Sequence, residues 1–261
     1  LVRALRALCA RVVCVPVTVA ALNTRGPLAP YKDYARERLV QTPLQLAAGT
    51  VLVLDETRLA PGALTPAGTR NLQHLRELAQ WQRVRYDFAY HEAEFAADVP
   101  VLALCRAGTS SLVLGSAGSA SSASSSASSA VVVPLRMRAA PEAAAPPTPF
   151  RTRGTFLAQA RLYVCAAREL PPDVDGAVVA QVQDDFVAAR RAAAQQTGAR
   201  AVTQDTLHGW MNLARAVARS FGEPCLGAHA WRHMRTLEAE RLDRVQPLSS
   251  SPSSSSSPSS L

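Results

Sequence analysis

Apolar residues recur along this chain in two patterns, and the change from one to the other divides it. In the first part they form short unbroken runs at 12–19, 50–54 and 99–104, with another at 131–135. Apolar runs of this length without polar alternation predict strands covered on both faces. Between them, Thr65-Pro66 reads as a helix N-cap followed by proline at the first helical position. Leu72, Leu75 and Leu78 then mark one face of a helix reaching Trp81. Buried strands alternating with helices predict an α/β fold with a parallel or mixed sheet. In YDFAYHEAEF the alternation of Tyr86, Phe88 and Tyr90 predicts one face of a β-hairpin.

In the second part the period becomes helical. Phe156, Ala160, Tyr163, Val164 and Ala167 share a face, as do Val178, Val182 and Phe186, and as do Leu207, Trp210, Met211, Ala214 and Val217. A last helix is expected over 228–245. Thr203 is the expected N-cap of the third of these helices, with Asp205 in its first turn, where a carboxylate suits the helix dipole.

Low-complexity stretches separate these parts. Residues 116–130 are almost all Ser and Ala and bury too little apolar surface to offset their ordering entropy. Residues 139–149 are proline-rich and stiff, and the Ser/Pro tail over 247–261 is expected to lack structure. The expected organisation is an α/β lobe over 1–138 with a disordered insertion at about 116–130, a linker over 139–149, a helical domain over 150–246, and the tail.

Composition narrows the function classes. The chain has 261 residues and a net charge of +8 with a pI near 9.8, which invites a nucleic-acid reading. Lys32 is the only lysine, however, and the arginines scatter along helices beside acids, as in Arg36-Glu37-Arg38. They read as solvated helix faces, and direct DNA binding is not expected. Cys9, Cys14, Cys105, Cys165 and Cys225 have no metal-ligand spacing and fit a reducing compartment. Arg3, Arg6 and Arg11 interrupt the apolar opening at roughly helical spacing, so no signal peptide is expected, and no run is long enough to span a membrane. The chain opens on Leu1, which leaves room for missing upstream sequence.

One string carries candidate chemistry. VLVLDETRL, residues 51–59, runs from four apolar residues into Asp55-Glu56, the Walker B arrangement in which the first acid holds Mg²⁺ and the second polarises water. A triphosphate also needs a glycine loop ending in lysine, and Lys32 stands in PYKDY without one. No cofactor and no small-molecule substrate are expected. His91, Glu92 and Glu94 lack a second histidine at ligand spacing, and His229 with His233 lacks a third ligand, so no metal site is expected.

Taken in order, KDY at 32–34, RLV at 38–40, LQL at 44–46, LDET at 54–57 with Gly62-Ala63-Leu64, the Trp81 to Tyr90 stretch and Glu94-Phe95 resemble the MCM-binding protein family (minichromosome maintenance complex-binding), toward its C-terminal half. DDFV at 184–187 and TQDTLH at 203–208 fit as well. The resemblance implies a degenerate, helicase-related AAA+-like lobe followed by an all-helical lid-like domain. In that frame Arg106 stands where a sensor 1 asparagine belongs and Asp205 where a sensor 2 arginine belongs. It further implies a non-catalytic nuclear partner of the MCM helicase subunits, acting in assembly or unloading of the helicase during DNA replication and in sister-chromatid cohesion. The alternative is an AAA+ ATPase whose P-loop lies upstream of Leu1.

Overall fold

The computed structural model of the chain describes residues 1–106, 133, 154–171, 173–195 and 201–249, with side chains to 244 in the last of these segments. The Ser/Ala insertion, the apolar run at 131–135 apart from Val133, the proline-rich linker and the tail beyond 249 lie outside the described residues. The chain is mixed α/β and divides into two compact units, the first taking in the described residues to 106 with 154–164, the second those from 165 onward. Among the described residues no helix is long and apolar enough to cross a membrane.

The first unit holds α1 (Val2–Leu8), β1 (Val12–Pro16), α2 (Val19–Thr24), β2 (Tyr31–Asp33), β3 (Arg38–Val40), β4 (Val51–Asp55), α3 (Pro66–Trp81), β5 (Arg83–Asp87), β6 (Glu92–Ala96) and β7 (Val101–Leu104). β1, β4 and β7 form a parallel sheet in that order, with Val12 opposite Val51 and Leu52 opposite Val101. β4 is therefore the middle strand, and Leu52, Val53 and Leu54 are each 0% exposed, as an unbroken apolar run requires. β7 borders this sheet among the described residues, so only one of the two runs expected to be central is so placed. α3 lays Leu72, Leu75 and Leu78 on the core that this sheet supplies.

Two of the apolar runs are longer than their strands, and a proline stands at the limit of each strand. The run at 12–19 ends its strand at Pro16, Val17 still donates its N–H to the Asp55 carbonyl at 2.9 Å, and Thr18 then caps α2 by accepting the Ala21 N–H at 3.1 Å. The run at 99–104 enters its strand only after Pro100, and Val99 is held instead by Gln82. The Val99 N–H donates to Gln82 Oε1 at 2.7 Å, while Gln82 Nε2 donates to the Val99 carbonyl at 3.0 Å.

A second sheet, in the order β3-β2-β5-β6, was not anticipated apart from the β5-β6 hairpin. Within that hairpin the strands stop at Asp87 and resume at Glu92, so Phe88 and Tyr90 occupy the turn and not a strand face. Asp87 Oδ1 accepts the Ala89 N–H at 2.7 Å and helps hold Ala89 in the left-handed region at φ 61°. Tyr86 stays on the strand and meets Phe95 across the pair, with ring centroids 4.5 Å apart.

Asn71 ties the first unit together from inside α3. It is 3% exposed; its Oδ1 accepts the Leu28 N–H at 2.9 Å and its Nδ2 donates to the Leu22 carbonyl at 3.1 Å. Those backbone groups end α2 and begin the segment leading to β2, so one side chain satisfies buried polar groups from both. Asn71→Ala is expected to lower stability by about 1–3 kcal/mol, the cost of leaving buried backbone groups unpaired. Urea unfolding of the variant checks this, and a loss well under 1 kcal/mol would contradict it.

Helix α4 (Gly154–Glu169) passes from the first unit into the second, which also contains α5 (Gly176–Gln195), α6 (Gln204–Phe221) and α7 (Ala228–Ser249). α7 continues past the expected end at Val245. Val178 and Val182 from α5, Trp210, Ala214, Val217 and Ala218 from α6, and Ala230, Trp231 and Met234 from α7 form its core. Trp210 meets Glu238 and Phe221 meets His229, so α6 and α7 run antiparallel across a turn at Gly222, which takes φ 73°. Both tryptophans satisfy their indole N–H groups on carboxylates: Trp231 on Asp185 at 2.7 Å and Trp210 on Glu238 at 3.4 Å. Arg241 holds Glu238 with two hydrogen bonds of 2.6 and 2.7 Å.

The face that α4 shares among Phe156, Ala160, Tyr163, Val164 and Ala167 is not a buried one. None of its residues is buried, and Phe156 and Tyr163 are more than half exposed. Helical spacing shows which residues share a face, whereas burial needs an opposing surface.

Candidate functional site

Asp55 and Glu56 sit at the C-terminal end of the middle strand, the end of an open α/β sheet where ligands usually bind. Their carboxylates have different fates. Asp55 Oδ1 accepts both the Thr57 N–H at 3.0 Å and the Thr57 hydroxyl at 2.6 Å, closing a tight turn as the chain leaves β4. Those bonds, chiefly the one from the hydroxyl, hold the Asp55 carboxyl below its ordinary value, with Arg58 adding a smaller pull in the same direction. Glu56 is 3% exposed, and its N–H donates to the Leu104 carbonyl at 2.8 Å, locking the strand end to β7. Burial, and secondarily the Glu56 charge, raise the pKa of the Cys105 thiol that follows β7.

A charged Asp55 therefore contributes to folding in the way of any carboxylate with a depressed folded pKa. The contribution is full above the unfolded value of about 3.8 and is lost as pH falls through the lower folded value. Asp55→Asn is expected to lower the melting temperature at pH 7, where that contribution is full, and to converge on wild type as the pH falls below about 4. Thermal melts of both proteins between pH 2.5 and 7 check this, and unchanged curves would contradict it.

Of the other candidate residues in the first unit, Arg106 adjoins this strand end, two positions after Leu104, which pairs with Asp55. Lys32 lies on β2, 5.9 Å from the centroid of the Tyr34 ring, and Arg106 is exposed after β7. Asp205 occupies the first turn of α6 in the second unit, after the N-cap Thr203. Glu92 and Glu94 are occupied by arginines: Arg85 reaches Glu92 at 3.6 Å and Glu94 at 3.2 Å, and Arg83 reaches Glu94 at 3.0 Å. His91 stacks on Phe88 with ring centroids 5.0 Å apart. His229 and His233 both face the Phe221 ring, and His229 Nδ1 lies 3.1 Å from Glu223. Among the described residues no group of three or more His, Cys, Asp or Glu is arranged to hold a metal ion.

A cleft of about 500 Å³ opens at the opposite end of the parallel sheet, where Arg6, Cys9 and Arg11 face Gln45 and Thr50. Sequence reasoning did not single it out, nor did it single out Asn71 or Glu238. For Asn71 a signal was present: it lies on the stripe continued by Leu75 and Leu78, and a polar side chain on an apolar stripe has a buried partner to find.

Comparison with known proteins connects this architecture to a single family. The model of a family described as mini-chromosome maintenance replisome factor matches residues 1–245, which takes in both units. Among curated proteins, the chain is 33% identical over 229 residues to the mini-chromosome maintenance complex-binding protein of Salmo salar, covering 85% of this chain and 33% of that one. It is 31% identical over 232 residues to the protein of that name from Arabidopsis thaliana, covering 89% and 35%. With the one from Homo sapiens it shares 30% identity over 221 residues, covering 83% and 31%. The chain thus spans about a third of the length of these relatives.

Proposed function

Because this chain belongs to the mini-chromosome maintenance replisome factor family, we propose that it is a binding protein for the mini-chromosome maintenance complex and does not itself catalyse a reaction. The observation that carries this reading is the family match across 1–245, together with relatives from an animal and a plant named for binding that complex. The same reading takes the first unit as a degenerate AAA+-like lobe, its Asp55-Glu56 a remnant of a Walker B strand, and the helical unit as lid-like. Three features support the remnant. The acids end the middle parallel strand, the Asp55 carboxylate is spent on Thr57, and the only lysine lies on β2 without a glycine loop before it.

On this reading the protein works in the nucleus, in assembly or unloading of the helicase during DNA replication, with a link to sister-chromatid cohesion. A pull-down of each purified subunit of the complex by the tagged chain tests the binding role. Capture of at least one subunit is expected, surviving in a nucleotide-free buffer. Capture of none would sink the proposal.

A further inference from the structure

The cleft at the end of the parallel sheet away from Asp55 is built from segments that carry cations and no acids. α1 supplies Arg6 from its last turn, the residue before β1 supplies Arg11, and the segment before β4 supplies Gln45, Leu46 and Thr50. Residues 1–32 hold Arg3, Arg6, Arg11, Arg25 and Lys32 without one Asp or Glu, and residues 39–54 hold no charged side chain. No Asp or Glu lines the cleft among the described residues, and neither Arg6 nor Arg11 forms an ion pair with one of them. Asp98, whose carbonyl accepts the Gly49 N–H at 2.8 Å, lines a separate, smaller cavity that shares Gln45 and Leu46.

The carbonyl end of a helix repels anions, and α1 ends here, but that end is covered. Arg161 on α4, within the same unit, donates from Nε to the Ala7 carbonyl at 2.8 Å and brings a third guanidinium to the helix end that carries Arg6. Residues 154–168 likewise contain no acid.

Polar groups in the cleft stand unused. Thr50 is 2% exposed, yet its hydroxyl makes no hydrogen bond with a described residue, and the Gln45 side-chain amide makes none either. Buried hydroxyls nearly always have a partner, so an orphaned one on the wall of a cleft marks a place for a bound acceptor. Val12 and Leu46 add half-buried apolar surface, and the volume of about 500 Å³ falls within the range of small-ligand sites.

We propose that this cleft binds a phosphate monoester, its phosphate oxygens taken by Arg6, Arg11 and the Thr50 hydroxyl, and its organic part laid on Val12 and Leu46. Charge selects the class: two unpaired arginines match the charge of about −1.5 to −2 that a phosphate monoester carries at pH 7, whereas a carboxylate offers one negative charge. Nucleic acid is the lesser fit, because single-strand sites stack bases on aromatic rings and no aromatic ring lines this cleft among the described residues. A phosphorylated side chain and a free small ester present the same group. The site stands independently of the binding role argued above.

The test titrates the whole chain by isothermal calorimetry with phenyl phosphate, with benzoate, and with a short phosphothreonine peptide beside its unphosphorylated twin. At least one of the two phosphate probes is expected to bind, with benzoate and the plain peptide at least tenfold weaker. Arg6→Ala and Arg11→Ala should each weaken binding at least tenfold with unchanged melting, since both side chains are exposed. Thr50→Val should weaken it several-fold, and Arg3→Ala, outside the cleft, should leave it unchanged. Tighter binding of the phosphopeptide than of phenyl phosphate identifies a phosphorylated side chain as the source, and the reverse order a free ester. No binding of either phosphate probe at millimolar concentration, binding that Arg6→Ala and Arg11→Ala leave intact, or equal binding of benzoate would overturn the proposal.

Discussion

Replacing Trp231 by alanine is expected to destabilise the helical unit by about 3–5 kcal/mol, the usual cost of reducing a buried large aromatic side chain to a methyl group. The side chain is 0% exposed on α7, within the core built by α5 and α6, so its removal leaves a cavity bounded by three helices. The loss is compounded at Asp185, whose carboxylate accepts the indole N–H at 2.7 Å and would lose that donor. Against a typical total stability of about 5–15 kcal/mol, this is a large fraction. Trp231→Phe should recover most of the bulk and leave a loss of about 1–2 kcal/mol for the hydrogen bond and residual volume. Urea midpoints with unchanged m-values measure both, and an alanine variant within 1 kcal/mol of wild type would contradict the assignment.

The second large effect is expected in the other unit. Leu54→Ala should cost about 2–5 kcal/mol, because a fully buried leucine on a middle strand leaves a hole flanked by neighbours that cannot collapse freely. Leu54 is opposite Val15 on one side and Ala103 on the other, and it is 0% exposed. The next residue, Asp55, is partly exposed and bonded to Thr57, so Asp55→Asn should cost much less near neutral pH than Leu54→Ala. Neighbouring positions thus separate packing from charge: one carries the fold, and the other is the candidate acid to be tested for chemistry. Equal effects of the two substitutions on the urea midpoint would show that β4 is not the buried middle strand.

How much of this was legible in the sequence depends on how local the governing physics is. β4 was legible because four apolar residues in a row suit only a strand covered on both faces, and α3 because Thr65 and Pro66 mark its start, with Thr65 Oγ1 accepting the Gly68 N–H at 3.1 Å. Phe88 and Tyr90 continue the alternation of Tyr86 and so resemble strand residues, yet the Asp87 carboxylate draws the chain into a turn there. β2 was hidden: its three residues are Tyr, Lys and Asp, and its pairing with β5 rests on the single register of Tyr31 with Asp87. Strands of that kind are made by their neighbours, and nothing in their own pattern announces them. The α4 stripe was legible from its spacing, but whether it is buried depends on a second surface that no local pattern encodes. At the candidate site the acid pair is visible from its string, whereas the bond from the Thr57 hydroxyl to Asp55 is set by the turn that follows β4.

Size-exclusion chromatography of the purified chain mixed with the purified mini-chromosome maintenance complex, run with and without ATP, is the most direct test of nucleotide-independent binding. Co-elution is expected in equal amounts under both conditions and for Asp55→Asn as for wild type. Separate elution of the chain and the complex, or ATP turnover by the chain that Asp55→Asn abolishes, would contradict it.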